Sequence, residues 1–208
     1  MKTLPIIFFL CLSITVISCV ENAKDEKSGP ISSFYLEQKG TSVTEGMPVE
    51  INSKIWFNAK TKNIATEMEY KTKAQGSQQS HKSLHISNEE GIFMIDLGRN
   101  TVYKIPKESG QNIFEGLDTY NEDTFLKELE QRGKIVDHEK YLGRKCIVFE
   151  TEEPNEVNEM EKTTYWFYKG MPLKMSSKTR KIETVVFDEN ARIPADRFMI
   201  PEGLKPIG

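Results

Sequence analysis

The sequence predicts a mainly β domain with minor α, and three observations predict it. Short runs rich in aromatic and β-branched residues recur at intervals of about 8–15 residues. The breaks between them carry Gly, Asn or Pro, residues that tolerate or preset turn angles. A single stretch departs from this rhythm and places apolar residues at helical spacing.

Taken in order, Ile31 to Lys39 is the first run and ends at Gly40. Ile51 to Phe57 follows Gly46, Met47 and Pro48, and Asn63 to Lys71 comes after Lys60, Thr61 and Lys62. Ser83 to Ser87 is shorter. Ile92 to Leu97 and Thr101 to Ile105 flank Gly98, Arg99 and Asn100, a hairpin signal because Gly and Asn accept positive φ. Lys134 to Lys140 and Arg144 to Thr151 flank Tyr141, Leu142 and Gly143. Lys162 to Tyr168 precedes a turn at Lys169 to Pro172, after which Leu173 to Ser177 and Ile182 to Phe187 continue. Arg192 to Ile200 is expected to be the last strand. The runs amount to about ten or eleven strands.

The helical stretch is Asn121 to Arg132. Phe125, Leu126 and Leu129 share one face, Asn121 is a fitting N-cap, Glu122 and Asp123 suit the positive end, and Gly133 follows the last turn. The inner face of the sheet is the expected partner of that apolar face. Gln75 to Ser83 and Glu152 to Glu161 read as polar, solvated loops. Some strands are apolar on both faces, as at Ile55, Trp56 and Phe57 or Tyr165 to Tyr168. A sheet with one wet face would alternate, so both faces are covered there, or one lines a pocket. Trp56, Phe93, Ile95, Tyr103, Phe125, Leu129 and Trp166 are the candidate lining residues, with ordinary core packing as the alternative for each.

The 28 basic and 31 acidic residues give a net charge of −3, with no basic stripe, so nucleic acid is not an expected partner. No nucleotide-binding, nucleophile-elbow or zinc-protease motif is present, and neither a catalytic centre nor a cofactor is expected. His81 and His85 have a spacing that could bind metal on a helix, together with Glu89 or Glu90. The residues around them read as strand, where such a pair stands about 13 Å apart, so no metal site is expected. His138 falls in a charged, surface-facing strand.

The N-terminus has the order of a secretory signal. Lys2 is followed by an apolar stretch from Leu4 to Ile17, too short to cross a hydrocarbon core of about 30 Å. Val16, Ile17, Ser18 and Cys19 resemble the lipobox of bacterial lipoproteins, although Ile17 stands where a smaller residue is commoner. The resemblance implies cleavage after residue 18 (signal peptide 1–18) and a diacylglyceryl group on Cys19, often with a further acyl chain such as palmitate. The alternative is an ordinary secretory signal cut near Ser18 or Ala23. Residues 19–29 form the lipidated Cys and a flexible polar tether, and residues 30–208 form the domain. Cleavage removes Lys2 alone among charged residues and leaves a net charge of −4. Val20, rather than aspartate, follows Cys19, which favours the outer membrane. Lys24, Asp25 and Glu26 are similar to an acidic tag for surface export. With Cys11 lost and Cys19 acylated, Cys146 has no disulfide partner and reads as a buried apolar residue.

From Ile31 to Pro206 the order of parts resembles the periplasmic lipoprotein-carrier superfamily, that of the LolA and LolB carriers, in a branch of outer-membrane lipoproteins without assigned function. Three stretches carry the resemblance: Ser53 to Phe57, Tyr165 to Lys174, and Asp196 to Gly203 with its F-x-I-P-x-G-like pattern. It implies a curved antiparallel half-barrel of about eleven strands, its concave face covered by one or a few helices around a lipid or acyl chain. This chain has one clear helix where the carriers have several, and no obvious exposed apolar hook, which sets lipoprotein transport itself aside. The resulting expectation is a non-catalytic, membrane-anchored envelope protein that binds an apolar ligand. The alternative is an interaction or sensor module with a filled cavity, its partner near the acidic Glu152 to Glu161 stretch.

Overall fold

A computed structural model describes residues 30–44, 46–74, 77–106, 117–155, 158–204 and 206–207. The signal region, Cys19 and the tether lie outside the described residues. Among the described residues no helix is long and apolar enough to cross a membrane.

Two meanders build one sheet. The first contains β1 (Ser33–Thr44), β2 (Met47–Asn58), β3 (Asn63–Ala74), β4 (Ser77–Asn88), β5 (Gly91–Asp96) and β6 (Thr101–Ile105). After α1 (Glu122–Arg132) the second contains β7 (Lys134–Tyr141), β8 (Arg144–Pro154), β9 (Met160–Tyr168), β10 (Met171–Ser176) and β11 (Arg180–Glu189). β11 pairs with β1, which joins the meanders, and the two-residue β12 (Pro206–Ile207) runs parallel to β6. The order is β12-β6-β5-β4-β3-β2-β1-β11-β10-β9-β8-β7. Eleven strands are antiparallel and the sheet stays open, which matches the curved half-barrel.

Local chemistry explains the turns. Asn88 Oδ1 accepts from the Glu90 and Gly91 amides, and Asp96 Oδ1 accepts from those of Gly98 and Arg99. Leu142 and Gly143 (φ 51° and 75°), and Lys169 and Gly170 (φ 48° and 78°), form two-residue turns with both angles positive, the form that matches strand twist. Register shifts at Glu37/Gln38, Ile135/Asp137 and Pro172/Lys174 are bulges, which bend a sheet. Gly40 is required where β11 comes close, because a Cβ there would stand 2.2 Å from the Lys181 carbonyl oxygen.

Three expectations need correction. Arg192 to Ile200 is not a strand: Pro194 and Pro201 interrupt pairing, and Ala195–Phe198 is a single 3-10 turn. Most of Gln75 to Ser83 is strand, since β4 begins at Ser77 and its polar residues simply project from a wet hairpin. Much of Glu152 to Glu161 is also strand, with β8 running to Pro154 and β9 starting at Met160.

Directly paired residues share a face and neighbours along a strand alternate. Phe34, Phe57 and Ile64 form one cross-strand row, and the face that carries them is called inner below. Their core includes Leu36, Ile55, Leu117, Tyr168, Met171 and Leu173. By pairing, the row Ile51, Gly40, Ile182, Met175, Tyr165 runs on from the inner face. Beyond the Pro172/Lys174 bulge, however, it is Trp166 and Tyr168, on the reverse side of β9, that join the Phe34 core, which leaves Tyr165 and Phe167 on the other side. There α1 packs through Phe125, Leu126 and Leu129 on Ile147, Phe149, Tyr165 and Phe167. Asn121 caps the helix, accepting from the Thr124 amide at 3.0 Å.

Past β3 the core changes sides. Leu84, Ile86, Phe93, Ile95 and Val102 pair with Ala65 and Glu67, on the outer face, and are covered by Ile200 and Leu204. The segment after β11 is held there by Arg197, which bonds to Glu67 at 3.0 Å and lies 4.5 Å from the centre of the Trp56 ring. Asn88 Nδ2 also donates to the Phe198 carbonyl at 2.9 Å.

Candidate functional site

Because the core leaves the inner face beyond β3, the apolar rows of that face run out towards solvent. One row is Leu36, Ile55, Thr66, His85, Met94 and Tyr103. Exposure along it rises from 1% at Leu36 and 7% at Ile55 to 38% at Met94 and 39% at Tyr103. The next row is Phe34, Phe57, Ile64, Ser87, Ile92 and Ile105, of which Ile92 and Ile105 are half-buried. Together they make a strip that starts apolar in the core, crosses the polar inner face of β4 at His85 and Ser87, and is apolar again on β5 and β6. Burial lowers the His85 pKa from its ordinary value, so the imidazole in the strip is held neutral more readily.

On its other side the strip meets a polar row: Thr184, Gln38, Ser53, Met68, Ser83, Asp96 and Thr101. Thr184 and Ser83 are buried, Gln38 Nε2 donates to Thr184 Oγ1 at 3.4 Å, and Ser53 Oγ donates to Gln38 Oε1 at 3.3 Å. Thr101 Oγ1 is buried without a hydrogen-bond partner among the described residues. The strip is therefore apolar at its two ends, with His85 and Ser87 between them, and polar along one margin.

A second feature lies at the far end of the sheet. The β8–β9 hairpin and the turn between β10 and β11 enclose a pocket of about 100 Å³, lined by Glu153, Glu161, Tyr165, Ser177, Thr179 and Arg180 among others. Ser177 Oγ and Thr179 Oγ1 donate to Glu161 Oε1 at 2.5 and 2.6 Å, which lowers the Glu161 pKa below the ordinary carboxylate value. Tyr165 Oη donates to Glu153 Oε2 at 2.6 Å, and burial chiefly raises the phenol pKa.

The candidate lining residues fall into separate groups. Phe125 and Leu129 come together under α1, and Phe93 and Ile95 come together in the outer-face core. Trp56 stacks on Tyr35 on the outer face, ring centroids 5.3 Å apart. Trp166 packs against the Phe34 core, donates Nε1 to Glu139 Oε2 at 2.8 Å and lies under Lys174. Tyr103 alone of the seven lies on the open strip. The two-faced runs are covered on both sides: Ile55 and Phe57 inside with Trp56 outside, and Tyr165 and Phe167 under α1 with Trp166 and Tyr168 on the Phe34 core. Sequence reading missed Ile92, Met94 and Ile105, whose alternation was legible, and the Glu153–Glu161 pair, which depends on hairpin register.

His81 and His85 lie in β4, and His138 is exposed in β7. Cys146 is buried in the Phe34 core.

No family model and no curated protein matches the sequence. Solved structures give distant matches. The chain is similar to a chain of the Pseudomonas aeruginosa MucA/MucB complex at a TM-score of 0.43 and 10% identity, covering 81% of this chain and 56% of that one. It is similar to a crystal structure of MucB at a TM-score of 0.42 and 9% identity, covering 82% and 58%. A DUF1329 family protein from Desulfovibrio piger matches at a TM-score of 0.32 and 10% identity, covering 86% and 92%. The chain spans a little over half the length of the first two. These matches assign no family.

Proposed function

We propose that this chain is an envelope lipoprotein of the periplasmic lipoprotein-carrier type, anchored to the outer membrane through Cys19, whose half-barrel holds a lipid or another apolar ligand. The role is binding, without catalysis. One observation carries the ligand reading: the inner-face rows that start in the core end, beyond His85 and Ser87, on apolar side chains of β5 and β6 that are exposed at Met94 and Tyr103. Exposed apolar surface is costly in water, at about 25 cal/mol per Å², and a hydrocarbon chain laid along it removes that cost. The polar margin supplies hydroxyl and carboxylate groups for the end of such a ligand.

Native mass spectrometry of residues 29–208, purified from membrane-containing lysate and followed by lipid extraction, tests this reading. Near-unit lipid occupancy, reduced by Met94→Glu, is the expected result. An apo mass that takes up no lipid on titration would refute it.

A further inference from the structure

β3 pairs with β4 from Ser77 to Ser87, whereas β5 pairs with it only from Ser83 to Asn88. The stretch Ser77 to Lys82 is therefore an edge inside the sheet, and every side chain along it is exposed. The Leu97 amide donates to the Lys82 carbonyl at 3.0 Å, so Lys82 turns its backbone groups away from β3, and by alternation Ser80 and Gln78 do the same. Beside Gln78 and Ser80 there is no strand on that side among the described residues. The other edges of the sheet are guarded. β7 has a bulge at Ile135/Asp137 and carries Lys134, Asp137, Glu139 and Lys140, while β12 covers β6 at Val102 and Tyr103. From Ser77 to His81, by contrast, the register with β3 has no shift, and the stretch holds no Pro, Lys, Arg, Asp or Glu. A flat, uncharged edge of this kind takes up another strand readily.

We propose that this edge is a pairing surface for a second copy of the chain, with Ser77 to His81 of the two copies running antiparallel. Length selects that occupant. The free edge ends where Leu97 takes the place opposite Lys82, and a strand that ran on would meet Leu97. Ser77 to His81 of a second copy fills the same span and stops there, because the chain turns back between Ser77 and Ala74. With Gln79 opposite Gln79, Gln78 faces Ser80 and Ser77 faces His81. The outward groups of Gln78 then bond those of Ser80 in the other copy, and two-fold symmetry repeats the set. Amide, hydroxyl and imidazole side chains meet along the seam, so no like charges oppose each other. So short a seam buries less than the roughly 1,200 Å² of a stable soluble complex, so pairing is weak in dilute solution and forms where copies are concentrated. Anchoring in a membrane supplies that concentration. This setting rests on the Cys19 reading, and the pairing itself does not.

The full chain carrying Gln79→Cys is oxidised mildly, both in membranes of the expressing cell and as concentrated purified protein. Disulfide-linked dimer is read on a non-reducing gel, with the chain lacking an added Cys as the blank; Cys146 is buried. Facing residues without mutual hydrogen bonds stand about 4.5 Å apart at Cα, a spacing that a disulfide spans. Gln78→Cys and His81→Cys, equally exposed, are the comparisons, each displaced from its own copy by about 7 and 13 Å along the strand. Dimer is expected at Gln79→Cys in at least one setting, at least about fivefold more than at either comparison. Adding Ser80→Pro removes an outward amide and no bond to β3, and is expected to abolish the dimer. Dimer with the purified protein alone supports the pairing and removes only the membrane setting. Dimer in neither setting, equal linkage at all three positions, or linkage of Gln79→Cys to a different protein overturns the proposal. Should Ser80→Pro fail to fold, the comparison of the three cysteines decides alone.

Discussion

Leu142 holds φ at 51°, an angle that costs an L side chain about 1 kcal/mol or more and that Asn or Gly accepts more easily. Its side chain is 39% exposed, so little packing is lost on replacement. Leu142→Asn is therefore expected to raise the urea midpoint by an amount near 0.5–1 kcal/mol, about the range of a relieved turn; a lowered midpoint would show that Leu142 packs more than its exposure indicates. Gly40 is the opposite case. An added methyl meets the Lys181 carbonyl at 2.2 Å, so Gly40→Ala must push β1 and β11 apart, at an expected cost of about 1–3 kcal/mol in chemical denaturation. His85, Glu161 and Glu69 have lowered pKa values, and the first two bear on the features described above. Burial lowers the His85 pKa, so the unfolded chain binds its proton more readily, and this contribution is complete above about 6.5 and lost as pH falls through the folded value. The hydrogen bonds from Ser177 and Thr179 lower the Glu161 pKa, so that contribution is present above 4.5 and lost on further acidification. Stability measured from pH 8 to pH 4 should fall in His85-dependent fashion first, and His85→Gln should remove that first step.

Helix α1 rests on its cap and on one apolar face. Asn121→Ala is expected to lose about 1 kcal/mol, and Leu129→Ala, which opens a hole over Ile147 and Phe149, about 2–5 kcal/mol by denaturant unfolding. The helix was fully legible in the sequence because cap, charge and periodicity all pointed one way. The strand after β11 was misread for the reverse reason: Ile193, Phe198 and Ile200 look like strand residues, but Pro194 removes a donor and the segment finds its partners on the outer face instead. Alternation correctly separated Trp56 from Ile55 and Phe57. It could not say which face was inner beyond β3, because that depends on the register of β3 with β4, in which Ala65 meets Ile86. Phe93 and Ile95 were thus grouped with Tyr103, although Tyr103 pairs with Met94 on the opposite face. The Glu153–Glu161 pair stayed hidden inside a stretch that read as loop.

The whole molecule is a sheet whose core changes face, with α1 covering Tyr165 and Phe167 at one end and the segment after β11 covering the outer face at the other. That arrangement leaves Ile92, Met94, Tyr103 and Ile105 on the inner face of β5 and β6 as apolar surface only partly covered among the described residues. At this scale the anchor is tested by labelling with palmitate: Cys19→Ala should abolish incorporation and release the protein from membranes, and unchanged labelling would remove the lipoprotein reading. The ligand reading is tested most directly by NMR of residues 29–208, reading intermolecular proton–proton NOEs from the methylene chain of a fatty acid. NOEs are expected to the side chains of Ile92, Met94, Tyr103 and Ile105 and not to those of Phe93 and Ile95, one residue along but on the opposite face. No intermolecular NOE, or NOEs centred on Phe93 and Ile95, would contradict an apolar ligand on the inner face.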